Sequence, residues 1–432
     1  LGQGFPGWTP PEFVKQALSA ATKETLEPES GFMMHQYARA AGHMSLVSAI
    51  AEDYAPRFNR AVDPATEVLV TNGATGALYC AISGLLNEGD EMVVFEPAFD
   101  IYAPAAEMVG AVVRPVPLRY SSREGGTKGW GFDLDELKSA FTPKTRVVLL
   151  NTPHNPTGKV FSPVELEQIA ALVRAHPYSL AVSDEVYEHL LYKGHKHTSL
   201  ATLPGMWDRT LTISSAGKTF SITGWKIGWI VGPAHLVRAA AIVQQWVCFS
   251  ISTPQQAAVA SCLREARKPY KGYPTYYDWL RAFYAEKRDI MAEALEDAGL
   301  KPMRPEGTFF MMGDTSEIQI PPGKEEAGIP YDWAFCKWLC RDIGVASIPP
   351  SSFYCEENQH LAKNYARFAY CKPNEELREA QTRLARLKAH RQAVSKLCSA
   401  DHDTGGSGRC PQHGRSGRCC LHTAGGSSPC AP

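Results

Sequence analysis

"SSAGKTFSITGWKIGW", residues 214–229, follows the alternating run "RTLTIS" (209–214) and delivers Lys218 in a Gly-Lys-Thr triplet at a strand-to-helix turn. A nucleotide-clamping loop of the form GxxxxGK[ST] needs glycine five positions before Gly217. Thr212 stands there, inside the strand, and the loop cannot wrap a phosphate. A solvated surface lysine is the commonest use of the residue. It leaves unexplained why a Ser-Ala-Gly turn carries this one to a strand end. The third reading is an amine that is itself reactive, holding a carbonyl group as a Schiff base.

Outward from this segment, β-rich runs alternate with helical ones. "TEVLVTNG" (66–73) leads into "ATGALYCAISGLLNEG" (74–89), "EMVVFEP" (91–97) into "AFDIYAPAAEMVG" (98–110), and "TRVVLLNTP" (145–153) into "SPVELEQIAALVRAH" (162–176). "SLAVSDE" (179–185) and "KIGWIVG" (226–232) add further strands. This alternation predicts an α/β fold, with a mostly parallel central sheet covered by helices on both faces. Residues 235–266 and 276–300 read as long helices from their 3.6-residue apolar spacing. Beyond them, strands "GTFFMMGD" (307–314), "GVASIPPS" (344–351) and "YARFAYCK" (365–372) mix with helices at 331–343 and 374–392. The expected organisation is an N-terminal arm over 1–40, a large domain over 41–295 and a smaller α+β domain over 296–395. The segment 396–432, rich in Gly, Ser, Cys and Arg, reads as a disordered tail, having too few apolar residues to offset its ordering entropy.

The 432 residues are 44% hydrophobic and 21% charged with a formal net charge of −1, which fits a globular protein acting on small molecules. No basic stripe marks a nucleic-acid binder, and no apolar run is long enough to span a bilayer. Four of the 12 cysteines (Cys410, Cys419, Cys420, Cys430) lie in the tail with His413 and His422, at spacings that match no zinc module, so no metal is expected. The remaining cysteines are scattered, as in a reducing compartment, and point to the cytoplasm, with the mitochondrion as the alternative.

In open α/β sheets ligands bind beyond the carboxyl ends of the strands. That rule gathers Asn72–Thr75, Asn151–Asn155, Asp184 and Ser215–Lys218. A Schiff-base lysine serving pyridoxal phosphate makes separate demands that these and nearby residues meet. Small residues at Ala74 and Thr75 offer helix-start amides to the phosphate, and Ser215 and Lys226 add a hydroxyl and a charge. Asp184, closing an apolar strand, suits the ring nitrogen, which must stay protonated. Asn155 suits the phenolic oxygen, with Tyr187 one helical turn beyond Asp184, and Phe99 suits the ring face. Arg367, a charge amid aromatic and small residues, calls for an anion. Each alone has a plain structural use as a turn, a cap or a core aromatic.

"NTPHNPTGK" (151–159), "SDEVYEHL" (183–190), "SSAGKTFSITGWKIGW" and "YARFAY" (365–370), in this order, resemble the fold type I, class I/II aminotransferases. "LGQGFP" (1–6), "HQYARAAGHMSL" (35–46) and "FEPAFDIY" (95–102) look most like the kynurenine aminotransferase/glutamine transaminase K group, also known as cysteine-conjugate β-lyases. The resemblance runs from Leu1 to about residue 395. It implies the three-layer fold of that type and a pyridoxal 5′-phosphate aminotransferase that works by a ping-pong exchange of amino acid and 2-oxo acid. It implies that Lys218 carries the cofactor and moves the proton between Cα and C4′. Asp184 then pairs with the pyridinium, Asn155 and Tyr187 bond the phenolic oxygen, and Phe99 stacks. Ala74, Thr75, Ser215 and Lys226 match phosphate-binding positions. Arg367, with Asn155, matches the α-carboxylate binder, and Gly4 a substrate-side backbone position. Tyr37 matches a tyrosine reaching the phosphate of a second subunit, hence a homodimer. Phe5 and Phe249 are expected at the entrance. A β-lyase and a non-catalytic cofactor-binding regulator are the alternatives. At Ala74 and Thr75 the family often has Gly-Tyr.

Overall fold

The computed structural model describes residues 1–23, 34–122, 128–324, 326 and 328–391. The expected tail and its cysteine–histidine cluster lie outside the described residues, and Tyr37 lies within them. The described residues pack as one unit.

The described residues form twelve strands in chain order: β1 (Val68–Asn72), β2 (Glu91–Glu96), β3 (Val112–Pro117), β4 (Arg119–Ser122), β5 (Lys128–Gly131), β6 (Thr145–Asn151), β7 (Leu180–Asp184), β8 (Thr210–Ser215), β9 (Ile227–Val231), β10 (Lys301–Met303), β11 (Phe310–Asp314) and β12 (Tyr365–Ala369). Seven of them form the central sheet in the order β1-β9-β8-β7-β6-β2-β3. All its neighbours run parallel except β9, which is antiparallel to both β1 and β8. The expected α/β fold with a mostly parallel sheet is what the chain forms.

Alternate residues of each strand feed opposite layers, as the two-residue repeat of a strand requires. Val147, Leu149, Val182, Leu211 and Ile213 pack on Leu78, Ile82 and Leu236 of the helices Gly73–Leu85 and Ala234–Val247. Val148, Leu150 and Ala181 face the other way, onto Leu166, Ile169 and Val173 of the helix Pro163–Ala175. Burial on both faces explains why β6 reads as an almost unbroken apolar run. Each fully buried Val, Leu or Ile contributes about 1.5–3 kcal/mol. The helix Pro163–Ala175 starts at a capping box, Ser162 with Glu165, and Pro163 opens its first turn.

A three-stranded antiparallel sheet, β10-β11-β12, carries Arg367 at the middle of its outer strand β12, paired with Met312 of β11. The N-terminal residues run beside it: the Ala369 amide donates to the Leu1 carbonyl and the Gly7 amide to that of Cys371. The segment 344–351, expected as a strand, forms only one isolated bridge, Ile348 to Arg367. Pro349 and Pro350 lack the amide donors that a longer ladder needs. The stretch 235–266 breaks into two helices, Ala234–Val247 and Thr253–Glu265, where Phe249 takes φ +58° and Pro254 starts a new first turn.

Candidate active site

β1, β6, β7 and β8 end at Asn72, Asn151, Asp184 and Ser215 on one edge of the sheet, and the reversed β9 enters from that edge just after Lys226. The register sets Asn151 beside Asp184 and Ser215 beside Gly228. A cavity of about 830 Å³ opens over this edge. It is lined by Gly4, Ala74, Thr75, Phe99, Asn155, Asp184, Tyr187, Ser215, Lys218, Lys226 and Arg367, which are the expected site residues apart from Tyr37.

Lys218 is the third residue of a single helical turn, Ala216–Thr219, directly after β8. Its Nζ donates to the Gly4 carbonyl at 2.8 Å and lies 5.6 Å from the centre of the Phe309 ring. Burial penalises the ammonium and lowers its pKa to about 8. The amine is thus far easier to free as a nucleophile or base than an ordinary lysine.

Asp184 is buried, and desolvation raises its pKa to about 6. Tyr102 donates its hydroxyl to Oδ2 at 2.7 Å, and the Val186 amide donates to Oδ1 at 3.3 Å. Asn151 braces two neighbours. Its Nδ2 donates to the Asp184 carbonyl at 2.9 Å, and its Oδ1 accepts the Asn155 amide at 2.7 Å. Tyr187 packs edge-on against Phe309, and burial raises the pKa of its phenol, which stays protonated.

The opposite wall is shaped for an anion. The helix Gly73–Leu85 has no side-chain cap at Asn72, so the amides of its first turn remain free. Gly73 turns at φ +69°, and a Cβ on Gly228 would sit 2.3 Å from the Gly73 carbonyl carbon. Only glycine at 228 lets β9 pass this close. Lys226, at φ +55°, extends its ammonium toward Gly73, where a Cβ would lie 3.2 Å from Nζ. It has no ion-pair partner among the described residues. A cation at the positive end of a helix is unfavourable unless an anion joins them. The Ser215 hydroxyl makes no capping bond and faces the same space.

Arg367 is 7% exposed, and no carboxylate among the described residues pairs with it. Nη1 donates to Asn155 Oδ1 at 3.1 Å and Nη2 to the Gly2 carbonyl at 3.0 Å, while Nε has no partner. The guanidinium lies 4.4 Å from the centre of the Phe310 ring and 5.0 Å from that of Phe353. Burial lowers its pKa to about 10. A buried, under-satisfied guanidinium opening onto a cavity is built to receive a carboxylate.

Tyr37 and Phe249 do not line this cavity. They are exposed by 78% and 54% and pack edge to face at 5.2 Å. Phe5 does line it, half exposed. The sequence reading missed Tyr102, Phe310 and Phe353. Tyr102 carries a signal in hindsight, one helical turn after Phe99.

Residues 8–384 match the family model described as Aminotransferase class I and II. The chain is 43% identical over 404 residues to kynurenine–oxoglutarate transaminase of Dictyostelium discoideum, covering 90% of each chain. Among solved structures it is similar to Bna3p of Saccharomyces cerevisiae, with a TM-score of 0.83 and 35% identity over 90% of this chain and 91% of that one. It is also similar to YbdL of Escherichia coli, described as having a methionine aminotransferase function, with a TM-score of 0.77 and 32% identity over 90% and 92% of the two chains.

Proposed function

The chain belongs to the class I and II aminotransferases, and from that premise we propose a pyridoxal 5′-phosphate enzyme that passes the amino group of neutral or aromatic L-amino acids to 2-oxo acids. The observation that carries this reading is Arg367, buried without a carboxylate partner among the described residues, in the same cavity as an easily freed Lys218 amine. The residues fit the cofactor. The free amides of Ala74 and Thr75, the Ser215 hydroxyl and Lys226 suit a phosphate; Asp184 suits a protonated ring nitrogen; Asn155 and Tyr187 suit the phenolic oxygen; Phe99 suits the ring face. When bound, pyridoxal phosphate supplies the electron sink that makes a substrate Cα–H acidic. Lys218 would hold the cofactor, and its easily freed amine would serve as the base that moves the proton at the substrate's Cα. Arg367 and Asn155 would grip the α-carboxylate, with Gly4 along the substrate's path.

Substrate choice follows from the lining. A dicarboxylate specialist needs a second fixed guanidinium, and Arg367 is the only arginine lining the cavity among the described residues. Lys337 also reaches the lining but is held by Glu326 at 2.6 Å. Phe5, Trp333, Ile348, Phe310 and Phe353 supply apolar surface. The names of the relatives, kynurenine–oxoglutarate transaminase and a methionine aminotransferase, agree with such side chains. The functional unit on this reading is a homodimer, with Tyr37 serving the phosphate in the second subunit. Exposed Tyr37, Ile242, Trp246, Val247 and Phe249 support it, because apolar residues so concentrated on a surface mark an interface. Among the described residues no helix is long and apolar enough to cross a membrane. The test is kcat/KM for kynurenine, glutamine, methionine and phenylalanine against aspartate, with pyruvate or phenylpyruvate as acceptor. The neutral donors should win, and a clear preference for aspartate would refute the substrate assignment.

A further inference from the structure

Tyr102 lies at the start of the helix Tyr102–Glu107, and its ring packs among apolar side chains between that helix and the sheet. A phenylalanine would fill this space equally well. The hydroxyl therefore needs its own explanation, and Asp184 Oδ2, at 2.7 Å, is its hydrogen-bond partner. The same turn holds Phe99: the Tyr102 amide donates to the Phe99 carbonyl at 3.1 Å, and the rings meet edge to face at 5.8 Å.

We propose that Tyr102 is a positioning residue, whose buried hydroxyl keeps the Asp184 carboxylate ionised and fixes one of its oxygens while the other meets the cofactor's ring nitrogen. The inference rests on the reading that Asp184 serves that nitrogen. A carboxylate taken out of water by β7 needs compensation from donors, and few are supplied here. Among the described residues, Oδ1 has the Val186 amide at 3.3 Å and Oδ2 has only Tyr102. The nearest charges act in opposite senses, Glu185 raising the Asp184 pKa and Lys218 lowering it. Tyr102 is a dependable donor because burial, and then Asp184 itself, hold its phenol protonated far above neutral pH. One turn of helix thereby ties the ring that stacks on the cofactor to the group that orients its acid.

Tyr102→Phe, made alone and on an Asp184→Asn background, tests this without disturbing the core. Hydrogen bonds to charged groups are strong enough that the single variant should bind pyridoxal phosphate roughly tenfold more weakly. On the Asp184→Asn background the same change should cost less than about twofold, because no charge remains to be held. In the cofactor-free protein, the infrared band of the Asp184 carboxyl should titrate at higher pH in Tyr102→Phe than its wild-type midpoint near 6. Equal losses of affinity in both backgrounds would reduce Tyr102 to a packing role and overturn the proposal. An unshifted infrared titration would also overturn it, even if no variant bound pyridoxal phosphate, an outcome that would sink the proposed function instead.

Discussion

Arg367→Met removes a charge that is buried with two hydrogen bonds and, among the described residues, no counter-ion. Burial lowers the guanidinium pKa from its ordinary value to about 10, so the charged form costs the folded state about 3 kcal/mol at neutral pH. The sign follows from the direction. A base whose folded-state pKa is lowered carries this cost in full below about pH 10, and loses it only as the pH rises toward the unfolded value. Methionine keeps the stem between Phe310 and Phe353 but gives up the bonds to Asn155 and Gly2 and the contacts with both rings. Those losses amount to about 2–4 kcal/mol and offset the gain. The cofactor-free variant should therefore melt within about 3 °C of wild type. Its substrates, however, lose the partner of their shared carboxylate, worth about 2–5 kcal/mol when buried. By calorimetry and steady-state kinetics, Tm should barely move while kcat/KM falls at least about 30-fold for every donor alike. Activity within threefold of wild type, or a collapse in Tm that accounts for the loss, refutes the reasoning.

Lys218 makes a pH prediction of the same sign. Its folded-state pKa is near 8, so the cofactor-free protein should gain stability in urea melts as the pH rises from 8 toward 10.5, and Lys218→Met should flatten that rise. Gly228→Ala drives a methyl into the backbone of Gly73 and Ala74, so it should lower stability by about 1–3 kcal/mol and weaken phosphate binding with it. Lys226→Met touches an exposed side chain, so it should leave Tm unchanged while weakening pyridoxal phosphate binding about tenfold, as measured by titrating the cofactor-free protein.

The strands that carry the site were legible because they are buried on both faces. β6 is a nearly continuous apolar run and β8 alternates Leu211 and Ile213 with threonines, and both end in polar residues that belong to the site. β3 was not legible. It is an edge strand, and Pro115 and Pro117, tolerated only where a missing donor faces away from the ladder, hide its pattern. The reversal of β9 was equally hidden, since an apolar run carries no direction. Among site residues, Lys218, Asp184 and Arg367 stood out as charges inside apolar context. Tyr102 did not, because a tyrosine in a helix looks the same whether its hydroxyl meets solvent or a buried carboxylate. Tyr37 and Phe249 could not be placed by one chain, which leaves both exposed.

The central claim is that Lys218 holds the cofactor. The direct test loads the purified protein with pyridoxal phosphate, reduces it with borohydride and maps the modified peptide by mass spectrometry. The account predicts one phosphopyridoxyl group on Lys218, in the peptide beginning after Arg209. A label on any other lysine, or none at all, would contradict it.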